Sequence, residues 1–171
     1  MKFFDSKSSF PYSWEQVTRA NWNKYPNEIT THVETVDVLR REIDPETHIL
    51  RTERIIGVRQ PVPLWLTKLL RTDGRAFCRE VSEIDLKKGT LTMRTQNLDH
   101  STVLSVMETI VYQRDPSSPS NNTLFTQRAS FHSGINFKKI SQSVEDFSLQ
   151  RFIQNSKLGR AAFDQVLENT Q

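Results

Sequence analysis

A single cysteine, Cys78, occurs in 171 residues. An intramolecular disulfide is therefore excluded, and no cysteine–histidine spacing fits a zinc site. Cys78 falls in an expected strand, where a small, buried, apolar role is the plain reading. The four histidines, His32, His48, His100 and His132, form no i, i+4 pair, so no metal is expected. No apolar run is long enough to span a bilayer. The opening segment, Met1 to Lys7, lacks the apolar block of a secretory signal. It also lacks the acid-poor, Arg-rich helix of a matrix presequence, so the expectation is a soluble intracellular chain. There is no Gly-rich phosphate loop, no Gly-x-Ser-x-Gly elbow and no Cys-x-x-Cys. Glu145 and Asp146 are adjacent, and ~100° apart on a helix they make a poor catalytic dyad. They read as helix-surface charges. No positive case for an enzyme emerges, and no cofactor is expected.

What is present suits one domain over residues 1–171. The hydrophobic share of 36% is modest, but a chain of this length can bury a proper core. The net charge of +3 is compatible with an anionic lipid or a nucleic acid and requires neither.

The pattern along the chain is strand, helix, six strands, long helix. A first strand is read around Lys7 to Phe10. Ser13 and Gln16 form a capping box that opens a helix, which must stop before Pro26. β-rich segments follow at about 31–42, 49–58, 75–86, 89–98, 103–113 and 123–133. Short turns join them, so neighbouring strands should be antiparallel. Asp115 to Asn122 is a Pro/Ser/Asn-rich exposed loop. From about Phe137 the spacing becomes helical through Ile140, Val144 and Phe147, then Phe152, Phe163, Val166 and Leu167. A helix of about 30 residues is about 45 Å long and can cross a whole sheet. Gly159 weakens it by up to ~1 kcal/mol relative to Ala. The expected fold is α+β: a curved antiparallel sheet of about seven strands, with the long C-terminal helix enclosing a cavity.

Two constellations could carry function. The first is Lys24, His32, Arg54, Arg151 and Asn155. Lys24 precedes a Pro-Asn turn and a strand, which places a cation, an amide and an imidazole near one mouth of the sheet. Arg151, Asn155 and Leu158 share one helix face, and an Arg fork suits phosphate oxygens. From the residues alone, solvated surface charge is the plainer account. The second is the segment at about 59–71. There Val62, Leu64, Trp65, Leu66, Leu69 and Leu70 crowd together beside Lys68 and Arg71. Tryptophan with cations suits a membrane interface; a short helix docked on the core is the equal alternative.

Five stretches carry a resemblance: Asn23-Lys24-Tyr25-Pro26-Asn27, then Thr31-His32-Val33, Leu50-Arg51-Thr52-Glu53-Arg54, Val144-Glu145-Asp146-Phe147-Ser148, and Arg151-Phe152-x-x-Asn155-x-x-x-Gly159-Arg160. In order and spacing, from about Phe10 to Leu167, the chain resembles the PRELI family of phospholipid carriers of the mitochondrial intermembrane space. Its Tyr-Pro-Asn-Glu form and the Val36 to Glu42 run look closer to the fungal phosphatidylserine-type branch. The resemblance implies a START/PITP-like fold and non-enzymatic transfer of an anionic phospholipid, phosphatidylserine or phosphatidic acid, between outer and inner mitochondrial membranes. It implies that Lys24, His32, Arg54, Arg151 and Asn155 contact the headgroup or cavity, and that the 59–71 segment is a lid touching the membrane surface. It implies a partner, a small helical-hairpin protein with twin cysteine motifs, and no nucleic acid. That partner is expected on a hydrophobic patch of the N-terminal strand–helix region and part of the long helix, with Phe10, Trp14 and Trp22 exposed. Two positions depart from the family pattern: Leu158 and Val58 stand where relatives can carry Lys. Two other classes stay open, a degenerate carrier that only holds its partner and a START-like cyclase or hydrolase.

Overall fold

The computed structural model describes residues 1–169. Seven strands form one antiparallel sheet in the order β1-β7-β6-β5-β4-β3-β2. They are β1 (Lys2–Phe10), β2 (Val33–Ile43), β3 (Leu50–Arg59), β4 (Arg75–Asp85), β5 (Thr90–Asn97), β6 (Leu104–Arg114) and β7 (Thr123–Ser133). Three helices complete the chain: α1 (Trp14–Trp22), α2 (Leu64–Leu70) and α3 (Lys138–Glu168). From β2 to β7 each strand pairs with its sequence neighbour, whereas β1 pairs with β7.

The local chemistry explains these limits. Ser13 accepts from the Gln16 N–H, and the Gln16 side chain reaches back to the Ser13 N–H, so the expected capping box forms. β1 begins at Lys2, five residues earlier than its spacing suggested, because it lies along β7 for its whole length. α2 is the one helix absent from the expected order. It opens after Pro63, which presets the backbone for a first turn.

The core sits at one end of the sheet, where α1 and the C-terminal half of α3 meet it. Phe10, Trp14, Val17, Leu91, Tyr112, Phe163 and Leu167 are buried together there. The Phe10 ring meets Phe163 and Phe125 edge-on, with centroids 5.4 and 5.7 Å apart, a favourable aromatic geometry. This corrects one expectation. Phe10 and Trp14 are each 1% exposed, so they offer no patch to a partner. Trp22 is half-buried, stacked under the guanidinium of Arg41. A second correction concerns Glu145, which is no surface charge. It is buried and accepts from the Ser133 N–H at 2.8 Å and the Met1 ammonium at 2.7 Å. That contact ties α3 to the end of β7.

Candidate functional site

Beside that core, and sharing Phe10, Tyr112 and Phe163 with it, α3 stands off the sheet and leaves a cavity of about 500 Å³. This volume lies within the range of ligand pockets. The floor is the concave face of β3–β7, the roof is α3, and one wall is the turn between α1 and β2. Inward positions alternate along each strand: Arg54, Ile56 and Val58 on β3, Cys78 and Glu80 on β4, Glu108, Ile110 and Tyr112 on β6. On α3 the lining residues include Phe152, Asn155, Ser156, Gly159, Arg160 and Phe163, a single helix face. Gly159 falls in the middle of that face, and a Cβ there would meet no atom within 4 Å. Its missing side chain widens the cavity at its roof.

Of the five expected cavity residues, Lys24, His32, Arg54 and Asn155 line this space. Arg151 does not. It points to the 59–71 segment and donates from Nη2 to the Pro61 carbonyl at 3.2 Å. One turn and a bit separates it from Asn155, and the small angular drift between i and i+4 places the two on different sides of the roof's edge. Leu158 is 44% exposed on the outer face of α3. Val58 lies in the lining beside Val33.

The electrostatics are uneven. Arg54 and Glu80 form a buried ion pair, Nη2 to Oε1 at 2.6 Å and Nε to the same oxygen at 2.9 Å. The Trp22 ring covers the guanidinium at 5.3 Å. Arg160 is held by Asp164 at 3.1 Å and by the Ser8 hydroxyl at 2.7 Å. Lys24 forms no ion pair among the described residues; its ammonium lies 5.3 Å from the centre of the Tyr25 ring. Burial opposes its charge, yet Tyr25, Tyr112, Glu108 and Glu80 together hold the ammonium above its ordinary range. Burial and the nearby Lys24 cation both push His32 down, so the imidazole is neutral at neutral pH. Burial pushes Glu108 up, against the pull of Gln127 and Lys24.

Burial also raises Tyr112 to about 12 and the Cys78 thiol to about 11. A thiol held there is not a nucleophile at neutral pH. Among the described residues no group of three or more His, Cys, Asp or Glu is placed to hold a metal.

Glu80, Glu108, Gln127 and Tyr112 were not singled out from the sequence. One signal was available. Glu80 is in phase with Ser82 and Ile84, and Glu108 with Ile110 and Tyr112, so each carboxylate falls on the buried side of its own strand.

The 59–71 segment is a closed loop, and none of its residues is among those lining the cavity. The Gln60 N–H donates to the Gly74 carbonyl at 2.9 Å, pinning the two ends together, as in an Ω-loop. Gly74 has φ +93° there, and a Cβ would run into the Gln60 carbonyl oxygen. Leu66 is buried at 2% exposure, and Val62 and Leu70 are half-buried. Leu64, Trp65 and Leu69 are 81%, 45% and 40% exposed, beside the exposed cations Lys68 and Arg71.

Comparison with known proteins adds a lineage to this geometry. A model described as the PRELI-like family matches residues 15–171. Protein UPS2, mitochondrial, of Saccharomyces cerevisiae is 46% identical over 168 residues, covering 98% of this chain and 73% of that one. Protein UPS1, mitochondrial, of the same yeast is 34% identical over 165 residues, covering 95% and 92%. The human PRELI domain-containing protein 1, mitochondrial, is 30% identical over 175 residues, covering 100% and 77%. Among solved structures, the Zhui aromatase/cyclase from Streptomyces sp. R1128 aligns over 99% of this chain and 93% of its own. The TM-score is 0.63 at 9% identity. That likeness concerns the fold, a START-like sheet wrapped on a long helix.

Proposed function

Because this chain belongs to the PRELI-like family, we propose that it is a non-enzymatic carrier of an anionic phospholipid between the outer and inner mitochondrial membranes. The observation that carries this reading is the cavity itself: largely apolar walls around the inward-facing ammonium of Lys24, which forms no ion pair among the described residues. The walls take acyl chain, at about 0.8 kcal/mol per CH₂ removed from water. The ammonium takes phosphate. His32 and Asn155 supply neutral hydrogen-bonding groups beside it, and Arg54 contributes through the Glu80 pair. Arg151 acts one step back, holding the lid at Pro61. The test is transfer of acyl-labelled fluorescent phosphatidylserine and phosphatidic acid between vesicles. Absence of transfer for both sinks the carrier reading and leaves a module that only holds its partner.

The carrier loads at a membrane surface through the lid. Leu64, Trp65 and Leu69 enter the headgroup region, while Leu66, Val62 and Leu70 follow only when α2 swings out. Trp14 is buried and Trp22 is stacked under Arg41, so an added blue-shift on vesicles reports Trp65. The emission of the wild type shifts to the blue on anionic vesicles, and Trp65→Ala removes that shift. An unshifted wild-type spectrum counts against membrane contact.

The compartment proposed is the intermembrane space, and the partner a small helical-hairpin protein with twin cysteine motifs. Phe10 and Trp14 are not its docking surface, being buried. A partner that binds only the folded chain stabilises it by mass action. Co-expression raises soluble yield and the melting temperature by several degrees. Equal yield, stability and transfer without any partner removes this part of the proposal.

A further inference from the structure

A row of side chains crosses the cavity floor. Arg54 on β3 faces Glu80 on β4, Glu80 faces Thr95 on β5, and Thr95 faces Glu108 on β6. All four line the cavity. Arg54 and Glu80 neutralise each other, and Thr95 is uncharged, so Glu108 is the acidic group of the row left without a contacting cation. It accepts one hydrogen bond, from Gln127 Nε2 at 2.6 Å. Among the described residues it forms no ion pair within 4 Å, and neither does Lys24, which faces the same space. The cavity therefore holds a cation and an acidic group that feel each other's field without touching.

A phosphate alone would satisfy Lys24 and be repelled by Glu108. A phosphodiester that carries a primary ammonium on a short carbon bridge satisfies both at once. A third polar group of the lining also lacks a partner. Thr30 is 1% exposed, lines this cavity, and its hydroxyl has no hydrogen-bond partner. Buried polar groups are rarely left unpaired in a finished site, and this hydroxyl can donate to a phosphate oxygen or accept from an ammonium.

We propose that Glu108, positioned by Gln127, binds the ammonium of an amino-bearing phospholipid headgroup while Lys24 holds its phosphate. Glu108 is then the residue that makes the cavity prefer amino lipids over lipids with a bare phosphate or a glycerol headgroup. This rests on the carrier reading given above.

Transfer between phosphatidylcholine vesicles tests it. The cargo is acyl-labelled phosphatidylserine, phosphatidylethanolamine, phosphatidylglycerol or phosphatidic acid, each in turn. The label sits on the acyl chain so that the ammonium stays free. At least one amino lipid moves about tenfold faster than phosphatidylglycerol, which has the same phosphodiester without the ammonium; a charge-assisted hydrogen bond is of that size. Which of the two amino lipids moves faster identifies the source of the ammonium. Glu108→Gln, which keeps the shape, brings the ratio to about one, and Glu108→Asp restores part of it. Wild-type transfer of phosphatidylglycerol as fast as both amino lipids overturns the proposal without any variant. So does a ratio that survives Glu108→Gln, including a uniform slowing of every lipid, which marks a purely structural role. If the wild type moves none of the four, the carrier reading itself has failed, and this proposal falls with it.

Discussion

Lys24→Glu abolishes phospholipid transfer. Lys24 is the inward cavity cation without an ion-pair partner among the described residues, since Arg54 is matched to Glu80 and Arg160 to Asp164, while Lys157, which also lines the cavity, is exposed to water. A phosphate brought into the cavity leaves its water behind. A buried anion without a compensating charge is very costly. Reversing the charge does more than remove the site, because Glu80 and Glu108 already place two carboxylates on the floor. A third makes the cavity repel any anionic headgroup. Lys24→Gln separates the two effects. It removes the charge at similar size, and the loss of one charge-assisted contact slows transfer by about ten- to a hundredfold. Circular dichroism of both variants matches the wild type, because the side chain faces the cavity rather than the packed core. Normal transfer of acyl-labelled lipid by Lys24→Glu would remove Lys24 from the site.

The second large effect is on stability. Arg54→Met lowers the unfolding free energy by about 3–5 kcal/mol, the usual result of leaving one half of a buried pair behind. Both side chains are only 6% exposed, and the two hydrogen bonds converge on one carboxylate oxygen. Without Arg54, the Glu80 carboxylate faces the cavity with no cation bound to it. Glu80→Gln has the same sign, through a stranded guanidinium under Trp22. The double variant, Arg54→Met with Glu80→Gln, recovers part of the loss, because neither charge is then unpaired. Urea unfolding of the four proteins closes the cycle. A loss below about 1 kcal/mol in Arg54→Met would put the pair in the class of solvated surface bridges. Exposed pairs on the outer face, such as Arg79 with Glu53, belong to that class.

Much of the fold is legible in the sequence because its signals are local. The capping box at Ser13 and Gln16 is read from two residues. The six β-rich runs end at Asp-Pro, Lys-Lys-Gly and Pro-Ser breaks, and the observed strands stop there within a few residues. The change of period near Phe137 marks α3, whose first helical residue is Lys138. The site is less legible because its members meet across strands. Lys24, His32, Arg54 and Asn155 come from motif spacing and family resemblance. Glu80 and Glu108 emerge only when register sets Arg54 opposite Glu80 and Thr95 between the two carboxylates. Arg151 shows the limit of helical-wheel spacing, since a shared face with Asn155 does not decide which side of a cavity rim each will occupy. α2 is legible only as one of two equal readings of its crowd of leucines, the other being a membrane-facing loop. The burial of Phe10 and Trp14 was illegible because it depends on α3, which lies more than a hundred residues further along the chain.

The pairing of β1 with β7 also fixes an order of events. Every other strand contact joins sequence neighbours and can form as soon as the second strand exists. β1 has to wait until Thr123–Phe131 are present to receive it, and closing so long a loop is slow. Until then β7 presents a bare edge, and Phe10 has no Phe125 or Phe163 to pack against. A chain that emerges in sequence from a ribosome or a translocation pore therefore makes its first strand early and uses it last. The intermediate that precedes closure, with its open β7 edge and half-built aromatic cluster, is the form most exposed to aggregation and proteolysis.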